Sequence, residues 1–137
     1  MYPPEITDPC RADLTEAGVV ELLTADDVDA LLKDQSGTAL VVVNSVCGCG
    51  AGVARPGVKI AIQHSKVPDK LTTVFAGVDQ EATAQTRNYI TGYPPSSPSI
   101  VLFKNGDPVY VMERHQIEGR GAEEIAFDLV TAFDEHC

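Results

Sequence analysis

Positive charge is scarce in this chain. Its 137 residues hold 10 Lys and Arg against 20 Asp and Glu, a formal net charge of −10. Nucleic acid and anionic membrane surfaces both require a basic face, so neither is an expected partner. Long apolar runs are missing too, and the longest fall far short of the roughly 20 residues a membrane helix needs. The opening Met1-Tyr2-Pro3-Pro4-Glu5 has no basic n-region and no apolar h-region, so no signal peptide is visible. The expected location is therefore cytoplasmic, where persistent structural disulfides are rare. Cys10, Cys47, Cys49 and Cys137 accordingly suggest catalysis or metal binding before they suggest staples. Repeats and low-complexity segments are absent as well. With 44% hydrophobic and 22% charged residues, the chain reads as one globular domain over residues 1–137, with 1–17 as an N-terminal extension.

One further absence is local. Between Asp34 and Asp69 there is no acidic residue, although Arg55, Lys59 and Lys66 fall in that stretch. A buried strand excludes carboxylates anyway, which accounts for part of the gap. The other account is a locally positive patch around Cys47, because exposed helix positions in so acidic a chain should include Asp or Glu.

What fills that stretch is the most informative part of the sequence. Val41-Val42-Val43-Asn44-Ser45-Val46 reads as a buried strand that empties into Cys47-Gly48-Cys49-Gly50, and a helix follows. A cysteine between a strand end and a helix start gains the positive end of the helix dipole and free backbone N–H groups, both of which favour thiolate. Cys47, at the exposed junction, is the expected nucleophile, with a pKa below the free-thiol value of about 8.5. Cys49, one step inside the helix, is the expected resolving thiol. Two cysteines one residue apart bridge only through a tight ring, so such a pair is a weak reductant, suited to exchange or isomerisation. The rival readings are a metal site joining Cys47 and Cys49 to His136 and Cys137, and a redox-sensing adaptor that is modified once and does not turn over.

Taken in order, a short helix is possible around Arg11–Glu16, and Val19–Leu23 can make a strand. Thr24 with Asp27 resembles a capping box for a helix ending near Ser36-Gly37. Strand Ala39–Ser45 has four apolar residues without alternation, as in a sheet covered on both faces. A helix from about Cys49 to Ser65 contains Pro56, an expected kink. Strand Thr72–Val78 and a helix capped by Asp79 and running to about Thr91 follow. Ile100–Lys104 and Val109–Glu113 flank Asn105-Gly106-Asp107-Pro108 as a hairpin. The last helix carries the stripe Ile125, Leu129 and Phe133. Strands alternating with helices and closed by a hairpin imply an α/β, thioredoxin-like fold, with a central mixed sheet of four or five strands flanked by helices. That layout places a cis-proline before the first hairpin strand, where Pro98 stands; the alternative is a trans proline opening an edge strand. It also places a carboxylate under the cysteines, but the matching position is Val41.

The residues Val41-Val42-Val43-Asn44-Ser45-Val46-Cys47-Gly48-Cys49 and Ala54-Arg55-Pro56 resemble the bacilliredoxin family. So do Thr73–Gly77, Glu81–Ala84, Pro95-Ser96-Ser97-Pro98-Ser99, Arg114-His115, Ile117-Glu118-Gly119, Ala132-Phe133-Asp134 and His136-Cys137. The likeness runs from about Leu14 to the end. It implies a bacterial thiol–disulfide oxidoreductase that removes bacillithiol from protein mixed disulfides, with weak disulfide isomerase or reductase activity. Bacillithiol would be the thiol co-substrate, no cofactor would be bound, and the partners would be bacillithiolated client proteins. Cys47 would attack the bacillithiol sulfur and Cys49 would resolve the adduct. Gly48, Ser97, Pro98 and Arg55 are the expected substrate-contacting positions, although Arg55 would equally serve to close the helix against a neighbouring loop. Gly50 and Gly57 depart from the family pattern, as does the segment around Cys10. His115 is expected to make a structural hydrogen bond, His64 to face solvent, and Tyr93 to line the groove or pack beside it.

Overall fold

A computed structural model describes residues 2–33, 35–48 and 50–137. These form helix α1 (Pro4–Thr15), strand β1 (Val20–Glu21), α2 (Ala25–Leu32), β2 (Thr38–Asn44), a π-helical turn (Gly50–Ala54), α3 (Arg55–Ala61) and β3 (Lys70–Phe75). They continue with α4 (Gln80–Asn88), β4 (Ser99–Lys104), β5 (Asp107–Met112), α5 (Arg114–Ile117) and α6 (Ala122–His136). The five strands make one mixed sheet in the order β1-β3-β2-β4-β5. β1 and β2 run parallel to β3, and β4 runs antiparallel to both β2 and β5.

β2 is central, and its unbroken apolar run has a simple cause. Successive side chains alternate between faces. Leu40 and Val42 join the core built by α1, α3 and α6, while Val41 and Val43 join the core built with α2 and α4. All four are at most 1% exposed. The capping box is present, with Asp27 N donating to Thr24 Oγ1 and Thr24 N to the Asp27 carboxylate. The hairpin turns on Asn105 and Gly106, both at positive φ (53° and 82°). β5 begins at Asp107, two residues before its expected start, and carries Pro108 where its register with β4 shifts. A proline is tolerated at such an irregularity on an edge strand.

Several boundaries differ from expectation. α1 extends back to Pro4 and carries Pro9 inside it. α2 stops at Leu32, α4 at Asn88 and α3 at Ala61. Pro56 lies not in the middle of a long helix but in the first turn of α3, directly after the π-helical turn, a position at which proline is well tolerated. β3 ends at Phe75, and a turn with Gly77 at φ 80° replaces its expected last residues. Asp79 does not cap α4 with its side chain; both its oxygens accept from Arg11 on α1, at 2.8 and 3.1 Å. α5 was not anticipated. Its four residues leave too little pattern to read.

The contact of α3 with α6 depends on Gly57. A Cβ there would lie 2.8 Å from both Cβ and Cγ2 of Ile125 and 3.1 Å from the Ala122 carbonyl oxygen. These are branch-point and backbone atoms, so relief requires moving α6. Gly57→Ala gains about 1 kcal/mol of helix propensity, against an overpacking cost of about 1–3 kcal/mol. A net loss of stability of up to about 2 kcal/mol is expected by denaturant unfolding, and a variant more stable than the parent would contradict this packing.

Candidate active site

Where β2 ends, the chain stops burying hydrocarbon and begins to bury polar groups. Asn44 is 2% exposed, yet both ends of its amide are used. Its Oδ1 accepts from Ser45 N and from Arg55 Nη1, each at 2.9 Å, and its Nδ2 donates to the Cys10 carbonyl of α1 at 3.1 Å. Cys47 N donates to Ser45 Oγ at 3.1 Å, and the Cys47 carbonyl accepts from Gly50 N and Ala51 N at 3.0 and 3.2 Å. Cys47 thus sits half-buried between the strand end and the π-helical turn, an irregularity often found at functional positions. Gly48 beside it is exposed, with open space where a Cβ would be. The expected resolving thiol, Cys49, lies outside the described residues.

The antiparallel pairing of β2 with β4 sets Val43 opposite Ser99, which brings the Ser97–Pro98 peptide alongside the start of the cysteine loop. That peptide is cis, as the layout required. Pro98 is buried and Ser97 half-buried, and the Ser97 carbonyl accepts from Arg114 Nη1 at 3.2 Å. Tyr93 is 47% exposed and lines a cavity of about 80 Å³ floored by Val43, Ile90 and Val101. His115 is exposed on α5, with no structural hydrogen bond among the described contacts. His64 does not simply face solvent; it is half-buried and shares a hydrogen bond with Asp134 at 2.9 Å.

Arg55 is corrected as a substrate contact and takes instead the other role expected of it, closing the helix against a neighbouring loop. It is 4% exposed, and its guanidinium donates to Asp13 Oδ2 (2.9 Å), Asn44 Oδ1 (2.9 Å) and the Ser45 carbonyl (2.7 Å). A buried group committed to three internal acceptors is not presented to a substrate's carboxylates. The positive patch is reduced with it, because Arg55 lies inside the protein and Asp13 offsets part of the charge that it shares with Lys59. Lys59 Nζ also meets Asp13, at 2.6 Å, so an acid from α1 closes in space the gap that the sequence leaves between Asp34 and Asp69. Asp13 and Asn44 are the residues that sequence reading missed. Asn44 left a trace, as a polar residue ending an apolar run; Asp13 left none.

Two cations act on the Asp13 carboxyl. Burial pushes it up, but hydrogen bonds from Lys59 and Arg55, with their charges, outweigh that and hold it below its ordinary value. Among the described residues, no three His, Cys, Asp or Glu side chains gather as a metal-ion set. Cys137 is half-buried against the core of α1, α3 and α6, and Cys10 Sγ donates to the Ile6 carbonyl one helical turn back. No helix among the described residues is long and apolar enough to cross a membrane.

Comparison with known proteins agrees with this geometry. The family described as "Disulphide isomerase" matches residues 2–137. A protein named Bacilliredoxin from Cytophaga hutchinsonii is 52% identical over 98% of this chain and 99% of its own length. One of the same name from Salinibacter ruber is 54% identical over 99% of this chain and 81% of its own. Among solved structures, Fasciola hepatica thioredoxin superposes with a TM-score of 0.60 at 21% identity, covering 87% of this chain and all of that one. Chlamydomonas reinhardtii thioredoxin f2 does so with a TM-score of 0.58 at 18% identity, covering 86% and 95%. At such identities the two thioredoxins speak for the fold alone.

The lowered Asp13 carboxyl has a pH consequence. A group whose folded pKa lies below its unfolded value contributes stability that is present above the unfolded value, here near 3.8, and lost as pH falls through the folded one. Asp13→Asn should therefore lower stability at neutral pH and flatten its decline below about pH 4. Unfolding free energies followed across that range check this, and parallel curves for the two proteins would contradict it.

Proposed function

The chain belongs to the bacilliredoxin family, thiol–disulfide redox proteins of thioredoxin fold, and from that premise we propose that it removes bacillithiol from protein mixed disulfides through Cys47. The observation that carries this reading is the setting of Cys47, half-buried at the strand–helix junction just beyond β2, whose last residues pair with the start of β4 directly after Ser97–Pro98. The Cys47 thiolate attacks the bacillithiol sulfur of the client's mixed disulfide. That S–S bond breaks, the client leaves as a thiolate and takes up a proton, and a Cys47–bacillithiol disulfide forms. The Cys49 thiolate then attacks Cys47 Sγ and expels bacillithiol, leaving Cys47 and Cys49 joined. A thiol reductant returns the two electrons that reopen the pair.

Bacillithiol is a co-substrate in this scheme, and no bound cofactor takes part. Gly48 and the Ser97–Pro98 backbone are the positions against which the client's extended chain lies. Gly48 has the exposure this requires, while Arg55 takes no part in contacting the client. The same exchange chemistry run between two protein thiols gives a weak isomerase or reductase activity. The setting of the reaction is the cytoplasm, and the partners are bacillithiolated client proteins.

The unequal parts of the two cysteines make the test. Cys47→Ser should abolish cap removal from a bacillithiolated model protein. Cys49→Ser should complete the first transfer and accumulate the adduct on Cys47, visible as an added bacillithiol mass on the intact protein. Equal loss in both variants with no trapped adduct, together with stoichiometric zinc or iron in the parent protein, would replace this reading with a metal site.

A further inference from the structure

We propose that Arg55 is a positioning residue for Cys47, anchored from α1 by Asp13, fixing the Ser45–Cys47 backbone and setting a permanent buried cation behind the cysteine loop. The inference rests on the reading of Cys47 as the attacking thiol and goes beyond it, by assigning what prepares that thiol in a chain whose central strand holds Val41 where a carboxylate was expected.

Three observations carry it. First, the guanidinium reaches the loop itself. Nη1 holds the Ser45 carbonyl and Asn44 Oδ1, Asn44 Oδ1 holds Ser45 N, and Ser45 Oγ holds Cys47 N. An unbroken run of hydrogen bonds therefore joins Arg55 to the Cys47 backbone. Second, the loop closes around the guanidinium. A Cβ on Gly50 would lie 2.8 Å from the Ser45 carbonyl oxygen and 3.0 Å from Arg55 Nη1. Gly50 therefore leaves the space that the guanidinium fills, directly after the cysteine motif. Third, the charge is placed where water screens it least. The Arg55 side chain is 5% exposed, against 28% for Asp13 and 43% for Lys59. A charge buried this far acts more strongly on its neighbours than an exposed one.

The charged groups around the cluster are few. α1 contributes Asp13, and its Arg11 is spent on Asp79 and Glu21. α3 contributes Lys59 along with Arg55 itself. α6 meets α3 with Ile125, an apolar contact. On the far side of the loop, Arg114 of α5 binds the Ser97 carbonyl and pairs with Glu118. Among the described residues, Asp13 thus meets two cations, which leaves a net positive charge behind Cys47.

That imbalance makes the test signed. If Arg55 acts through charge as well as position, Arg55→Met and Asp13→Asn should move the acidity of Cys47 in opposite directions, because one removes a cation and the other removes the carboxylate that offsets it. A scaffold role alone would lower the melting temperature in both and move the thiol alike in both. The measurement is the rate of iodoacetamide alkylation against pH, made in a Cys10→Ser, Cys49→Ser, Cys137→Ser background so that Cys47 is the sole thiol. Thermal unfolding is followed on the same samples.

Arg55→Met should raise the alkylation midpoint by about one pH unit, roughly a tenfold loss of thiolate at a fixed pH below it. Asp13→Asn should lower the midpoint below that of the parent. An unraised midpoint in Arg55→Met, or a rise in both variants, would overturn the proposal. Should Arg55→Met show no cooperative unfolding, Asp13→Asn decides alone: a lowered midpoint supports the proposal and any other result overturns it. The midpoint is read on the thiol without turnover, so it stands or falls separately from the activity of Cys47→Ser.

Discussion

β2 is covered on both faces and paired along both edges, and the chemistry of this protein is arranged around the point where that strand stops. Leu40, Val41, Val42 and Val43 are each worth about 1.5–3 kcal/mol of hydrophobic transfer when fully buried. Together they gather roughly 6–12 kcal/mol before conformational entropy, as much as the net stability of an ordinary domain. A strand held this firmly delivers its end to a fixed place. Asn44, Ser45 and Cys47 are positioned by apolar packing below them before any polar contact is made.

The second constraint is the buried cation. A guanidinium taken out of water must be matched, and removing one partner of a buried pair generally costs about 3–5 kcal/mol. The cost is smaller where, as at Asp13, the partner keeps some solvent. The matching recruits α1. Asp13 answers Arg55 and Lys59, the Cys10 carbonyl answers Asn44, and Arg11 reaches Asp79 while lying 5.2 Å over the Phe75 ring. Phe75 stands beside Asn44 in the register of β3 with β2, so α1 lies across the carboxyl ends of both strands. What reads in sequence as an N-terminal extension supplies partners to Asn44 and Arg55, on either side of the cysteine loop.

Legibility followed the range of the interactions. The Thr24–Asp27 box, the Asn105-Gly106 turn and the double-sided burial of β2 are set by neighbours in sequence or by simple periodicity, and each was readable. Helix ends were read too long by several residues: α3 and α4 stop although Ile62 and Ile90 beyond them still pack against the core, so an apolar stripe does not mark where a helix ends. Asp79 had the sequence of an N-cap but a stronger partner in Arg11, 68 residues away. A bidentate charge-assisted contact outweighs a single bond to a helix N–H. Arg55 was ambiguous for the same reason: a cation near a cysteine motif reads identically whether it faces solvent or the interior.

By itself the sequence determined the strands and the longer helices in their order, the central strand, the cysteine motif at its end and the proline that opens β4, because hydrophobic period, turn chemistry and motif spacing are local properties of a chain. Tertiary structure alone decided that the stretch free of acids is not free of acid in space. It turned Arg55 inward, closed the loop around it where Gly50 has no Cβ, and brought Asp13 from α1 to meet it. The reason is that a buried charge takes its partner from whatever packs against it, and packing pays no regard to distance along the chain.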